Sequence, residues 1–264
     1  MFDLHSHIIP GIDDGAKDME MSLAMLQIAV DNGTKGIVAT PHVIEGEWLP
    51  SWDRILTDCD TLQKEVQKLG IEIPIYPGGE VAIHIDILEK LKGPGAYCIN
   101  SGRYMLVELP ATHIPNFTDE FFFTLQARGI TPILAHPERH PELAKKPEIL
   151  GEWINRGVLA QVNGTSITGR MGERVMKMAE LFITNGMVHV LGSDAHRIHN
   201  RNTKLTTAVT RMVELIGKEA TEKIIKLNAD HILHSREVNI KEVGEIKYPT
   251  KNKSVIKWLS KLWK

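Results

Sequence analysis

Seven short apolar runs constrain the fold of this chain more than any other feature of its sequence. Each run is about four to six residues long and rich in Ile, Val and Leu. Continuous apolar runs of this length are typical of strands that are buried on both faces of a parallel sheet. The runs lie at 1–4, 36–40, 73–76, 104–109, 131–135, 158–162 and 188–192.

Helical patterns occupy the intervals between the runs. In 51–69, apolar residues recur on one helical face, and Gly70 follows as a C-terminal cap. Because strands alternate with helices, the sequence predicts repeated βαβ units. Seven such units in about 200 residues favour a (β/α) barrel over an open sheet. The other helices are predicted at 22–32, 117–128, 147–156, 170–185, 203–216 and 218–227.

Composition excludes several classes of protein. The formal net charge is −2, which does not suggest a nucleic-acid partner for the whole chain. Two cysteines in 264 residues make no disulfide framework, and no signal peptide or membrane span is visible. We therefore expect a cytoplasmic protein with one barrel domain at 1–235 and a C-terminal extension at 236–264.

Histidines and carboxylates follow the apolar runs directly. In a parallel barrel the C-terminal ends of the strands form the face that carries the active site, so these side chains should meet there. His5 and His7 are two residues apart on one extended segment and point to the same side. The candidate metal ligands are His5, His7, Asp14, His42, Glu80, Glu108, His136, Asp194 and His196.

Taken singly, these residues have ordinary explanations. A lone histidine after a strand is usually a capping or turn residue, and Asp13-Asp14-Gly15 is a common turn. Glu108 lies inside an apolar strand, however, and a bare buried carboxylate is costly without a partner such as a cation. Recurrence of the pattern on successive strands predicts a site for two or three divalent ions. Nitrogen and oxygen ligands accept manganese, iron, zinc or magnesium.

Two arginines lie in loops that follow the same strand ends. Arg139 and Arg201 carry planar guanidinium groups that match phosphate oxygens, although a surface ion pair is the usual role of an arginine. Beside a metal cluster we interpret them as phosphate ligands. Backbone N–H groups of the loop 163–169 could assist them, whereas His189, inside a strand, is expected to be a packed or hydrogen-bonded core residue.

A covalent cysteine phosphatase does not fit the sequence. That chemistry needs a cysteine followed by an arginine six positions later. Glu65 stands six residues after Cys59, and Tyr104 stands six residues after Cys98. A cysteine-based phosphatase mechanism is therefore set aside.

The motifs, taken together, resemble the polymerase and histidinol phosphatase (PHP) superfamily. They are more similar to the bacterial manganese-dependent protein-tyrosine phosphatases encoded with capsule and exopolysaccharide genes. The resemblance covers about 1–235 and leaves the C-terminal extension outside it. The motifs are Asp-Leu-His-Ser-His at 3–7, His-Ile-Ile-Pro-Gly-Ile-Asp-Asp-Gly at 7–15, Thr-Pro-His at 40–42, Gly-Glu at 79–80, Glu108, Ala-His-Pro-Glu-Arg at 135–139 and Ser-Asp-Ala-His at 193–196.

This resemblance implies an α/β fold, a distorted TIM-like (β/α)7 barrel, with three divalent ions, manganese above all. Arg139 and Arg201 would bind the substrate phosphate. The implied substrate is phosphotyrosine on a membrane tyrosine kinase that controls polysaccharide chain length and export. The implied ligand sets are His5, His7, Glu80 and Asp194 for one ion, Glu80, Glu108 and His136 for the second, and Asp14, His42 and His196 for the third.

Three alternatives remain open at this point. Another phosphoesterase of the superfamily, such as a histidinol phosphatase, would share the same metal ligands. A metal-dependent amidohydrolase also begins with His-x-His on a barrel strand, but it often uses a bridging carbamylated lysine where this chain has Glu80 and Glu108. A regulator without turnover is the third, and the complete ligand set argues against it.

The last fourteen residues, 251–264, contain five lysines, no acid and several interleaved apolar residues. On a helix this pattern gives a basic amphipathic face suited to an anionic membrane surface. A disordered or packed terminus is the plain alternative.

Overall fold

The computed structural model describes residues 1–248, so the basic pattern predicted at 251–264 lies outside the described residues. The described part is an α/β barrel, as the apolar runs predicted. Its strands are β1 (Asp3–Ser6), β2 (Ile37–Ala39), β3 (His42–Val43), β4 (Ile75–Pro77), β5 (Glu80–Ala82), β6 (Tyr104–Glu108), β7 (Thr131–Leu134), β8 (Leu159–Asn163) and β9 (Val190–Gly192).

Helices connect the strands and cover the outside of the barrel. Single turns of 3-10 helix lie at Ile99–Ser101 and Pro137–Arg139, and a π-helical turn lies at Lys223–Asn228. The α-helices are α1 (Met19–Asp31), α2 (Trp52–Lys68), α3 (Ile87–Lys90), α4 (Thr118–Ala127), α5 (Pro141–Lys145), α6 (Glu148–Asn155), α7 (Gly164–Ile167), α8 (Glu173–Thr184), α9 (Thr206–Ile216), α10 (Lys218–Glu222) and α11 (Ala229–Leu233).

The longest helix, α2, shows why the local sequence folds as predicted. Ser51 is extended at the N-cap and its side chain accepts a hydrogen bond from the backbone N–H of Arg54. Ile55, Cys59, Leu62 and Val66 form the buried stripe. The helix ends before Gly70, whose φ of +70° is a conformation that glycine adopts without strain.

All strand pairs in the described residues are parallel, and they form two sheets of order β1-β2-β4 and β3-β5-β6-β7-β8-β9. Two short strands lie outside the predicted runs 36–40 and 73–76, because β3 follows β2 after Pro41 and β5 follows β4 after Gly78-Gly79. The ring closes where Ser6 of β1 bridges Ala195, directly after β9. Seven strand positions therefore surround the barrel, in agreement with the predicted (β/α)7 architecture.

Alternation along the strands separates two apolar clusters and leads up to the polar mouth. Met105 and Val107 of β6 belong to the large cluster shared with the covering helices, whereas Tyr104 and Leu106 belong to a smaller cluster with buried residues of five other strands. Glu108 continues the second face. The candidate site therefore sits at the polar end of an otherwise apolar barrel face.

Residues 236–248 follow α11 and pack against the barrel and its helices. The hydroxyl of Tyr104 donates a hydrogen bond to the backbone oxygen of Arg236, and Val238 is buried. Asn155 pairs with the backbone of Val243, and Asn185 pairs with that of Lys247. Among the described residues no helix is both long and apolar enough to cross a membrane.

Candidate metal centre

All nine predicted ligands lie together at the C-terminal mouth of the barrel. Their nitrogen and oxygen atoms form three compact groups, in each of which the candidate ligand atoms lie within 4.8 Å of one another. His136 and Asp194 border these groups, because His136 Nε2 is 3.0 Å from Glu80 Oε1 and Asp194 Oδ1 is 3.6 Å from His5 Nε2. The three groups are His7, Asp14, His42 and His196; His5, His7 and Glu80; and His42, Glu80 and Glu108.

The ring of His5 is oriented by a buried amide. The side-chain oxygen of Gln161 accepts hydrogen bonds from the backbone N–H of His136 at 3.2 Å and from His5 Nδ1 at 3.0 Å. Because a backbone N–H can only donate, the Gln161 atom must be the oxygen, and His5 Nδ1 carries the proton. His5 Nε2 is then left with a free lone pair that faces the centre.

The ring of His7 is oriented in the same way by a carboxylate. His7 Nδ1 lies 2.7 Å from Asp13 Oδ2 and donates to it. The Asp13 carboxylate also accepts from the backbone N–H groups of Gly15 at 2.9 Å and His42 at 3.0 Å. Burial alone would raise the pKa of Asp13, but the hydrogen bond and charge of His7 outweigh it and lower the pKa to about 2. Asp13 is thus held ionised behind His7.

The two free nitrogens face each other across a short gap. His5 Nε2 and His7 Nε2 are 3.1 Å apart, and both lie 3.2–3.3 Å from Glu80 Oε2. His42 Nδ1 is 3.1 Å from the same oxygen. Among the described residues neither Glu80 Oε2 nor His42 Nδ1 has a hydrogen-bond partner, although both atoms are buried. Converging lone pairs around an unpartnered carboxylate oxygen fit a divalent cation.

Burial and neighbouring charges shift the pKa values of the groups in this centre in opposite directions. Burial lowers the pKa of His7, but the hydrogen bond to Asp13 and the negative charges of Asp13 and Glu80 outweigh burial and raise it to about 10. Burial would raise the pKa of Glu80, yet His5, His136 and His7 hold it well below its usual range. Glu108 differs, because burial and the adjacent Glu80 charge raise its pKa to about 8.

Asp14, His42 and His196 form the outer part of the centre. His196 Nδ1 lies 3.1 Å from the backbone oxygen of Asp194, to which it donates, and His196 Nε2 is 3.2 Å from Asp14 Oδ1. The ring of Trp48 stacks on that of His42 with ring centres 5.4 Å apart and an interplanar angle of 17°. Asp14 is exposed, so this part of the centre opens to solvent.

Both predicted arginines contact Asp194. Arg201 Nη2 donates to Asp194 Oδ1 at 2.7 Å, and Arg139 Nη1 donates to Asp194 Oδ2 at 2.9 Å. Asn163 Nδ2 donates to the second oxygen at 2.8 Å. Asp194 has a φ of +51° and His136 a φ of +32°, a backbone region that residues with a Cβ rarely occupy. Backbone strain of this kind clusters at functional sites.

Several residues that shape the centre were not among the sequence predictions. Asp13, Gln161, Asn163 and Trp48 all contact a candidate ligand. Gln161 could have been predicted from the sequence, since it is a polar residue inside an apolar run and a buried polar side chain needs hydrogen-bond partners. The loop 163–169 was predicted to offer backbone N–H groups to phosphate, but the N–H of Asn163 donates to Glu138 Oε1 at 3.0 Å.

The fold and the mouth together define a (β/α)7 barrel with a candidate multinuclear metal centre beside two arginines. Residues 1–234 match the family model described as capsular polysaccharide synthesis, CpsB/CapC. The chain belongs to that family.

Individual relatives agree with the family match. The chain is 29% identical over 238 residues to tyrosine-protein phosphatase YwqE of Bacillus subtilis, covering 90% of this chain and 93% of the relative. It is 34% identical over 203 residues to the putative tyrosine-protein phosphatase CapC of Staphylococcus aureus, covering 76% of this chain and 79% of the relative.

A solved structure is similar over nearly the whole chain. It comes from the crystal structures of YwqE from Bacillus subtilis and CpsB from Streptococcus pneumoniae, described as unique metal-dependent tyrosine phosphatases. The TM-score is 0.87 at 29% identity, and the alignment covers 94% of this chain and all of the solved one. The fold of this family is therefore the fold of this chain.

Proposed function

We propose that this chain is a metal-dependent protein-tyrosine phosphatase of capsule or exopolysaccharide synthesis. The observation that carries the proposal is the convergence of nine nitrogen and oxygen ligands and two arginines at one barrel mouth in a member of the CpsB/CapC family. Its substrate is phosphotyrosine on a membrane-associated tyrosine kinase, which it meets from the cytoplasm.

The centre holds three divalent ions, and manganese is the cation we favour. His5, His7, Glu80 and Asp194 would hold the first ion, Glu80, Glu108 and His136 the second, and Asp14, His42 and His196 the third. Support comes from the unpartnered Glu80 Oε2 and from the histidine nitrogens that face it. When bound, the ions supply Lewis acidity that activates water and stabilises charge on the phosphoryl oxygens.

The chain's own side chains divide the remaining work. Arg139 and Arg201 bind the substrate phosphate, because a guanidinium group donates two parallel hydrogen bonds to phosphate oxygens. Asp194 holds both guanidinium groups at 2.7–2.9 Å in the structure and so fixes their positions at the edge of the centre. Gln161 and Asp13 keep the His5 and His7 rings in the tautomer that directs Nε2 inward.

One experiment tests the reaction class and the cofactor together. Protein stripped of metal is assayed with a phosphotyrosine peptide and with histidinol phosphate, with manganese, iron, magnesium or zinc added back. We expect no turnover after stripping, recovery with manganese and a strong preference for the peptide. Undiminished turnover after thorough chelation would exclude the metal mechanism. A preference for histidinol phosphate over the peptide would indicate a histidinol phosphatase instead.

An amidohydrolase remains the alternative with a different chemistry. It is disfavoured because Glu80 and Glu108 occupy the strand positions at which such enzymes often carry the bridging carbamylated lysine. Hydrolysis of a cyclic amide at a rate comparable to that of the phosphopeptide would reverse this preference.

The basic, apolar-rich segment 251–264 adds a second element to the proposal. Contact of this segment with an anionic membrane surface would bring the phosphatase close to a membrane kinase. Flotation with anionic liposomes, for the full chain and for a chain ending at 248, tests this. Equal recovery of the two proteins would exclude membrane contact through this segment and leave the catalytic proposal intact.

A further inference from the structure

Trp48 occupies a position at the candidate centre that the proposed mechanism does not use. Its indole stacks on His42 at 5.4 Å between ring centres, and His42 in turn lies 4.5 Å from the ring of His7. Among the described residues, Trp48 is the one Phe, Tyr or Trp side chain with a ring contact to a candidate ligand. It is half-buried, so part of its indole faces solvent at the rim of the mouth.

The loop that carries Trp48 is fixed at three points. The backbone N–H of Ile44 donates to the oxygen of Trp48 at 2.5 Å, which closes a tight turn. Lys90 Nζ lies 2.8 Å from Glu45 Oε2, and the Tyr97 hydroxyl donates to the oxygen of Pro50 at 3.0 Å. The ring is therefore held in place before a ligand arrives, and a preorganised ring loses little entropy on binding.

We propose that Trp48 is a specificity-determining residue that packs against the aromatic ring of an aryl phosphate at this centre. The proposal rests on the proposed phosphatase function. The ester-linked group of a bound phosphate is one bond from the phosphorus, and the stacked His42 and Trp48 rings lie at the edge of the same centre. An aryl group can stack there or meet the indole edge-on, whereas the methylene of an alkyl ester offers no such contact.

A purely structural role for Trp48 makes a different prediction. If the indole only shields His42 from solvent, its removal disturbs the centre itself and weakens every phosphate ligand equally. If it packs against the ester-linked ring, its removal weakens aryl ligands and spares small alkyl ligands. The two roles are therefore separated by the ratio of affinities rather than by activity alone.

The test uses two competitive inhibitors that contain no leaving group, phenylphosphonate and methylphosphonate, with the manganese-loaded full chain. Inhibition constants are compared for wild type, Trp48→Leu and Trp48→Phe. We expect Trp48→Leu to weaken phenylphosphonate about threefold to tenfold, the range of one aromatic pair, and Trp48→Phe to retain most of the affinity. Methylphosphonate should bind all three proteins alike. Leu49→Ala, an exposed apolar neighbour in the same loop, is the matched control and should change neither constant.

Two outcomes would overturn the inference: equal weakening of both inhibitors by Trp48→Leu, or no change in either. A parallel fall in kcat/KM for a phosphotyrosine peptide in Trp48→Leu would support it. Failure of the proposed function is seen separately, as absence of peptide hydrolysis by the wild-type protein with every metal tried, because phosphonate binding is measured independently of turnover.

Discussion

At the scale of single residues, two side chains outside the predicted ligand set orient the rings of His5 and His7 towards the centre. Asp13 accepts from His7 Nδ1 at 2.7 Å, and Gln161 accepts from His5 Nδ1 at 3.0 Å. Each contact fixes the tautomer and directs Nε2 inward, where the two nitrogens lie 3.1 Å apart. A cation between them would be bound by both nitrogens.

Replacing Asp13 with Asn should therefore weaken metal binding without removing a ligand. The amide is neutral and no longer reinforces the basicity of His7, and loss of such an outer carboxylate typically costs about 10- to 100-fold in metal affinity. The measurement is the manganese concentration that restores half-maximal activity to the stripped enzyme. Asp60→Asn, an exposed acid on α2, is the control. An unchanged midpoint in Asp13→Asn would show that the pair does not tune the metal.

The arginines give a second prediction at this scale. Substituting Arg139 or Arg201 with Met should lower kcat/KM for a phosphotyrosine peptide by about 10²- to 10³-fold, the usual cost of one donor to the transition-state charge. Manganese content should change little, since neither arginine is a predicted ligand. Arg54→Met, on the exposed side of α2, is the control. Loss of bound metal in the arginine variants would instead point to a role in positioning Asp194.

Much of the ligand set could be predicted because most of the ligands lie in an apolar run or shortly after one. Asp13 could not be assigned, since its partner His7 lies six residues earlier across a loop whose path the sequence does not specify. The role of Trp48 could not be predicted either, because its contact with His42 depends on how the turn closes between Ile44 and Trp48. Residues that act through a neighbour need the three-dimensional path of the chain.

At the scale of elements, two short strands, β3 and β5, begin with candidate ligands at the mouth of the barrel. Proline cannot donate to a strand ladder, and Pro41 ends β2 just before His42. Gly78-Gly79 ends β4 just before Glu80, and the new strands pair with the register His42 opposite Glu80. The sequence predicted one strand at each place, because a strand of two or three residues is too short to show a period of two.

Gly192, the last residue of β9, shows how closely these elements approach. A Cβ added there would lie 2.5 Å from the Cβ of His5 and 2.8 Å from Gln161 Nε2. Gly192→Ala should therefore displace β1 or Gln161, destabilise the protein by about 1–3 kcal/mol and weaken metal binding. Urea unfolding and the manganese titration measure the two effects.

Gly244→Ala is the matched control for that substitution, since a Cβ at Gly244 meets no atom within 4 Å. It should leave both stability and the titration midpoint near the wild-type values. A stable Gly192→Ala protein with normal manganese binding would mean that β1 and β9 can separate without cost to the centre, contrary to the tight packing seen here.

At the scale of the whole molecule, the (β/α)7 class could be predicted but the closure of the barrel could not. Seven runs alternating with helices were sufficient for the class. Closure depends on β1 lying beside β9. There the backbone N–H of His7 donates to the backbone oxygen of Ala195 at 2.9 Å, and the backbone N–H of Asp194 donates to the backbone oxygen of His5 at 2.8 Å. Pairing across almost two hundred residues leaves no local pattern in the sequence, so strand order had to come from the structure.

His189 links the stability of the whole barrel to pH. It is buried, as predicted, and its Nδ1 accepts from the backbone N–H of Ala160 at 3.1 Å. Burial, and secondarily the charge of Lys223, lower the pKa of His189 from 6.5 to about 4. Between these values the unfolded chain binds a proton that the native protein excludes. The contribution of His189 to stability is therefore complete above pH 6.5 and is lost as pH falls towards 4.

Replacing His189 with Gln should make unfolding less sensitive to acid, because glutamine can still accept from Ala160 but does not titrate. We expect the wild type to lose about 2 kcal/mol more than the variant between pH 7 and pH 4.5, from urea unfolding at each pH. Other titrating groups, including those of the centre, are common to both proteins and cancel in this difference. His84→Gln, an exposed histidine, should follow the wild type. Equal acid sensitivity of His189→Gln and wild type would mean that His189 is protonated in the native barrel at low pH, and that its burial imposes no penalty on folding.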